Sequence, residues 1–215
     1  MKVLINCPLN FNLDNNKINR LGGIESLNLY LATTLSENNI DVTLATNCKK
    51  ITYKEKIKNI PIKYLKINPN KYQYDTIISS NDATIFNYFT YSKKIFWLHN
   101  QLQIEKSFRK KQFFSLILNR PTAVFVSSYL KSITSKIFFF KARAIIPNFL
   151  LFDFVNQKIN YKRKRIFVWS VQRTKGLNET IKMWITNISP FYKDAELHIF
   201  GMKKIPNEFN KKNLY

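Results

Sequence analysis

The chain has 215 residues, 45% of them hydrophobic and 15% aromatic, with 35 basic against 13 acidic side chains and a net charge of +22. That is one generous domain or two small ones with enough apolar material for a real core, which excludes a largely disordered chain. Two cysteines and two histidines exclude a disulfide scaffold, a Cys-rich zinc module and a His-rich metal site. The sequence opens on Lys2–Cys7, a short β-branched run that predicts a buried strand and is too short for a signal peptide. A polar loop over Pro8–Leu21 leads to Gly22-Gly23, and Ile24, Leu27, Leu31 and Leu35 then recur at helical spacing until Asn38-Asn39. Asp41–Thr46 reads as the second strand, completing a parallel strand–helix–strand unit. Further strands are predicted over Ile62–Ile67, Asp75–Ser79, Lys94–Leu98, Thr122–Ser127 and Ala142–Ile146. A short helix is predicted over Asn81–Tyr91, one basic amphipathic helix over Glu105–Leu118, and another helix over Ser128–Phe138. Strands alternating with helices predict an α/β doubly wound parallel sheet.

The rhythm breaks after Leu151-Phe152, where the chain turns polar and basic. We expect a first domain over 1–150, a linker over 151–163 and a second α/β segment over 164–215. That segment holds a strand over Arg165–Ser170, a helix over Leu177–Ile188 and a strand over Glu196–Phe200, one βαβ unit and so an incomplete domain.

The basic excess has two readings. Lysines outnumber arginines 28 to 7, and Lys, Asn and Ile together make 79 residues, the set that AT-rich codons produce. The cations are scattered, and no nucleic-acid-binding motif accompanies them, so no specific nucleic-acid partner is expected. Attraction to anionic substrates or to an anionic membrane remains, the latter through 105–118, which combines Lys and Arg with Phe and Leu. A surface helix docked on the sheet explains the same segment without a membrane.

Four glycines in 215 residues make each one informative. Gly22-Gly23 stand ahead of a helix that follows the first strand. Free N–H groups, the positive end of a helix dipole and the absence of side chains make that an anion site, or simply a glycine turn. G-x-G-x-x-G is absent, which disfavours a dinucleotide enzyme. Arg173-Thr174-Lys175-Gly176 precedes another helix and is a second candidate phosphate site, although it is not a P-loop. His99 ends the strand IFWLH, at the carboxyl end where doubly wound sheets bind ligands. His198, within an alternating strand, reads as structural. Cys7 and Cys48 read as small strand-end residues, and Pro147-Asn148 as a strand stop.

Taken in order, KVLINCP, GGIESLNLYLATTLSENNIDVTLAT, WLHN, AVFVSSYLKS, IIPN, RIFVWSVQRTKGLNETIKMW and AELHIFG resemble the successive motifs of family-4 glycosyltransferases. These have the GT-B fold, two Rossmann-like domains. The resemblance implies a retaining transfer of sugar from a nucleotide-sugar donor, UDP- or GDP-linked, to a polysaccharide or glycolipid acceptor in cell-surface glycan (lipopolysaccharide-type) synthesis. It implies no metal and no further cofactor. With neither a membrane-spanning run nor a signal peptide, a cytoplasmic, reduced protein is expected, and 105–118 gives the reading of a peripheral contact at the inner face of the membrane. Gly22, Gly23, Arg173 and Lys175 would hold the donor diphosphate, His99 would touch the donor sugar as the catalytic histidine, and Asn148 would be a hinge or donor contact.

Three departures stand out. Trp169-Ser170 replace the family's G-R, Phe149 replaces the glycine of IPNG, and the E-x7-E region that holds the donor would fall after Tyr215. The 215 residues alone are therefore expected to be inactive or very weakly active. A non-catalytic module on a degenerate glycosyltransferase fold is the other reading.

Overall fold

The computed structural model describes residues 1–10, 13, 21–149, 165–170 and 176–200. The chain divides into two compact units, Met1–Leu151 and Phe152–Tyr215, each with its own core.

The first unit is built on an eight-stranded sheet. Its strands are β1 (Lys2–Asn6), β2 (Asp41–Thr46), β3 (Thr52–Lys54), β4 (Ile57–Pro61), β5 (Thr76–Ser80), β6 (Lys93–Leu98), β7 (Thr122–Phe125) and β8 (Ala142–Ile145). The spatial order is β3-β4-β2-β1-β5-β6-β7-β8. Neighbours are parallel except β3 and β4, which form an antiparallel hairpin. The helices are α1 (Gly23–Glu37), α2 (Ile62–Ile67), α3 (Ile104–Arg109), α4 (Phe113–Asn119) and α5 (Ser128–Ile133), with a 3-10 turn over Thr84–Tyr88.

Both faces of the sheet are buried, as a parallel sheet requires. On β1, Leu4 belongs to one apolar cluster with Phe86, Phe96, Leu116 and Phe125. Val3 and Ile5 belong to another with Leu29, Ala32 and Leu44. The alternation of strand side chains thus supplies two cores from one strand. Helix α1 buries Leu29, Ala32 and Ser36 along one stripe.

Three sequence expectations change. Ile62–Ile67 is helix α2, not a strand: Pro61 closes β4, and Ile62 and Leu65 are buried three residues apart while Ile67 is exposed. The stretch between the expected strands Asp41–Thr46 and Ile62–Ile67, for which no element is predicted, holds the β3–β4 hairpin, where Ile57 and Ile60 are buried. The single helix expected over Glu105–Leu118 is two short ones. Lys111 between them takes φ +55°, the left-handed region that ends a helix.

The second unit, as described, is a parallel pair: β9 (Ile166–Trp169) beside β10 (Glu196–Ile199). Helix α6 (Leu177–Met183) runs into a π turn over Trp184–Ile188, and together they cover a cluster of Leu177, Ile181, Trp184, Ala195 and Leu197. Gly176 starts α6 at φ +87°, a backbone position that glycine adopts without strain.

Candidate functional site

In a doubly wound sheet, ligands bind where strand order reverses, beyond the carboxyl ends of the strands. Here that place lies between β1 and β5, because the chain leaves β1 toward β2 on one side and β5 toward β6 on the other. Two polar ties fix it. The Asn6 amide nitrogen donates to Ser79 Oγ at 2.8 Å, both side chains fully buried, and Ser80 Oγ donates to Asn28 Oδ1 on α1 at 2.8 Å. The second tie anchors the first half of α1 against β5. Sequence reading passed over these Asn and Ser residues. The available signal was polar side chains closing strands that are otherwise apolar.

Gly22 is the N-cap of α1 in extended backbone, and Gly23 is its first helical residue. A Cβ on Gly23 would meet nothing within 4 Å, so this turn presents open backbone. A Cβ on Gly22 would lie 2.6 Å from Glu25 Oε2. The Glu25 carboxylate folds back on the first turn, where the helix dipole favours negative charge. Its charge also acts on Cys7, whose thiol is pushed up to about 12, first by burial and second by Glu25. Both cysteines are free and buried, and Cys7 stays a neutral thiol at the end of β1.

His99 follows β6. Its backbone N–H donates to Asn81 Oδ1 at 3.0 Å, and its ring lies 4.5 Å from Trp97. Nε2 is buried and has no hydrogen-bond partner among the described residues. Burial pushes the imidazole down from 6.5 to about 4, so at neutral pH it is uncharged. An uncharged imidazole in this setting can exchange hydrogen bonds with a hydroxyl, but it is not a source of protons at pH 7.

Asn148 is exposed beyond β8, and its neighbour Phe149 packs on Tyr30 of α1 with ring centroids 5.7 Å apart. The residue that departs from IPNG thus touches the helix that begins at Gly23. Arg173 and Lys175 lie outside the described residues. His198 sits in β10, with Nε2 2.7 Å from Glu196 Oε2. Among the described residues no three or more His, Cys, Asp or Glu side chains gather as a metal site.

The first unit has the Rossmann-like architecture of the GT-B glycosyltransferases, and the comparison with solved structures shows that fold for the chain. WaaG, a glycosyltransferase involved in lipopolysaccharide biosynthesis, is similar with a TM-score of 0.62 at 10% identity, over 92% of this chain and 62% of its own. Sucrose-phosphate synthase from Thermosynechococcus elongatus gives 0.55 at 12% identity, over 98% of this chain and 64% of its own. The glycotransferase of kitacinnamycin gives 0.55 at 10% identity, over all of this chain and 69% of its own. The chain therefore spans under two thirds of the length of the first two. No protein-family model matches it, and no curated protein matches it.

Proposed function

We propose that this chain belongs to a retaining glycosyltransferase that moves a sugar from a UDP- or GDP-linked donor to a glycan or glycolipid acceptor in cell-surface glycan synthesis. Residues 1–150 form its acceptor-side domain, and 164–215 belong to its donor-side domain. The observation that carries the reading is the open glycine turn of α1 beside the sheet's switch point, in a fold shared with glycosyltransferases.

The chemistry follows from charge. When the donor's glycosidic bond breaks, the nucleoside diphosphate gains negative charge and the sugar becomes oxocarbenium-like. Backbone N–H groups at Gly22 and Gly23, with the α1 dipole behind them, stabilise that charge, and Arg173 and Lys175 neutralise it. Neutral His99 hydrogen-bonds the donor sugar and orients it. Asn148 is the hinge or a second donor contact. No metal or other cofactor takes part. We further propose that 105–118 rests on an anionic membrane surface at its cytoplasmic face. Among the described residues no helix is long and apolar enough to cross a membrane.

The test uses the scarcity of glycine. With four glycines in the chain, their amide signals are uncrowded in a nitrogen–proton NMR spectrum. UDP or GDP is expected to move the Gly22 and Gly23 signals, and uridine or guanosine without phosphate is not. Silence at both glycines with both diphosphates at millimolar concentration would remove the donor-site assignment.

A further inference from the structure

Beyond the carboxyl ends of β1 and β5 opens a cavity of about 570 Å³. Pro8 after β1, Asn81 and Asp82 after β5, Lys66 from α2, Tyr88 from the 3-10 turn, and Lys110 and Lys111 from the α3–α4 turn line it. Its size lies in the range of small-molecule sites, roughly 300–1,000 Å³.

The walls are held in place. Lys111 and Asn81 both adopt left-handed backbone, at φ +55° and +56°, which few non-glycine residues do. The Lys111 N–H donates to Phe108 O at 2.8 Å and the Gln112 N–H to Ser107 O at 2.8 Å, which locks the turn carrying Lys110 and Lys111. The buried Gln112 side chain then bridges to the opposite wall. Its Nε2 donates to Asn81 O at 3.2 Å, and its Oε1 accepts from the Ala83 N–H at 3.3 Å. Across the cavity, Lys66 Nζ lies 5.9 Å from the centre of the Tyr88 ring.

The charge balance is one-sided. Among the described residues Asp82 is the one carboxylate on the lining, and its Oδ1 already accepts from the Thr84 N–H at 3.0 Å and the Thr84 hydroxyl at 2.8 Å. Lys66, Lys110 and Lys111 have no ion pair among the described residues. Three lysines against one engaged carboxylate give the described lining a net positive charge, which a ligand anion would offset. The Asn81 amide nitrogen and the Tyr88 hydroxyl on the same walls suit sugar hydroxyls.

We propose that this cavity binds the anionic group of an acidic sugar, a phosphate or a carboxylate, and so selects an acidic glycan as acceptor. The acceptor role rests on the glycosyl-transfer reading above; the anionic-sugar site does not.

The experiment titrates glucose 6-phosphate, glucuronate and glucose into the full chain at 0.15 M salt, where distant charges are screened over about 8 Å. At least one acidic sugar is expected to bind at least about tenfold more tightly than glucose, as a charge-assisted contact should. Which one binds identifies phosphate or carboxylate as the ligand group. The amides of Asn81, Lys110 and Lys111 should move and those of Gly22 and Gly23 should not.

The variant Lys66→Gln/Lys110→Gln/Lys111→Asn, with Asn chosen because it tolerates left-handed backbone, should lose at least about tenfold. Lys66→Gln alone removes one charge without touching the turn and should lose about threefold. Lys49→Gln/Lys50→Gln/Lys71→Gln removes the same charge elsewhere and should stay within about twofold.

Equal affinity for glucose would overturn the proposal. So would equal losses in the cavity and control variants, which would leave only the general field of a +22 chain, or shifts at the two glycines instead of the cavity. Anion binding in the cavity alongside silence of Gly22 and Gly23 toward UDP and GDP would keep this site and remove the donor reading. Glycine shifts with UDP or GDP and no anion binding in the cavity would do the reverse.

Discussion

A proton on His99 would place a cation where burial already holds the imidazole at about 4. In the unfolded chain the same ring titrates near its ordinary value of about 6.5. Between those values the unfolded state binds more protons than the folded one, so stability rises with pH through that window. It is complete above about 6.5 and is lost as pH falls toward 4. The variant His99→Gln is expected to flatten this part of the profile, and denaturant titrations from pH 4 to 7 would show it. An unchanged slope in the variant would mean that His99 is not the group responsible. The two glycines separate structure from function in another way. Gly23→Ala has open space and removes a poor helix former, so its melting temperature should hold or rise. Yet its methyl would stand where a phosphate approaches, and UDP or GDP affinity should fall about tenfold. If affinity is unchanged in the folded variant, the diphosphate does not sit at this turn.

At the scale of elements, α3 and α4 present apolar side chains beside cations. Phe108, Phe114 and Leu118 are 47%, 65% and 78% exposed, and Lys106, Arg109, Lys110 and Lys111 sit in the same stretch. Under the proposed membrane contact, such a face would gain from both burial and charge on anionic lipid. Phe114→Ser/Leu118→Ser should reduce co-sedimentation with phosphatidylglycerol vesicles several-fold and leave the far-UV spectrum unchanged. Equal sedimentation of variant and parent would exclude this face as the contact.

The same elements show what was legible in the sequence. β1, α1, β2, β5, β6 and β7 follow from long periodic or strongly β-branched runs. The placement of His99 at a strand end and of Gly22-Gly23 at a helix start follows from them. Ile62–Ile67 misled because six residues with Ile62, Tyr64, Leu65 and Ile67 among two lysines fit either period, and Pro61 closes a strand as readily as it starts a helix. The hairpin over Thr52–Pro61 was hidden by Lys54, Lys56 and Lys58, which interrupt the apolar pattern although Ile57 and Ile60 are buried. The break at Lys111 was invisible because a lysine carries no signal for left-handed backbone. The ties through Asn6, Ser79, Ser80 and Asn28 depend on strands distant in sequence, and no local pattern announces them. Glu25 was within reach: an acid three residues after the N-cap commonly folds back on a helix start.

For the whole molecule, the separate cores make a thermodynamic expectation. Phe96 is fully buried in the first unit and Ile181 in the second. Phe96→Ala should destabilise the first unit by about 3–5 kcal/mol, and Ile181→Ala should leave that unit's transition within about 0.5 kcal/mol. Thermal unfolding followed by hydrogen exchange in each unit would check this. A single transition shifted equally by both substitutions would show one cooperative body instead.

The strand order also exposes two open ends. Among the described residues the sheet stops at β3 on one side and β8 on the other, so each end offers unpaired backbone groups to a stranger's strand. Neither end is a good template. β3 is three residues long and ends at Lys54, and β8 is four residues long, its Arg143 tied back to the Thr134 and Ser135 carbonyls. Two β3 edges brought together would also have to overcome the repulsion of two chains of net charge +22. The safeguard is electrostatic and therefore conditional: as salt rises, the screening length shrinks and fibrous or amorphous self-association becomes easier.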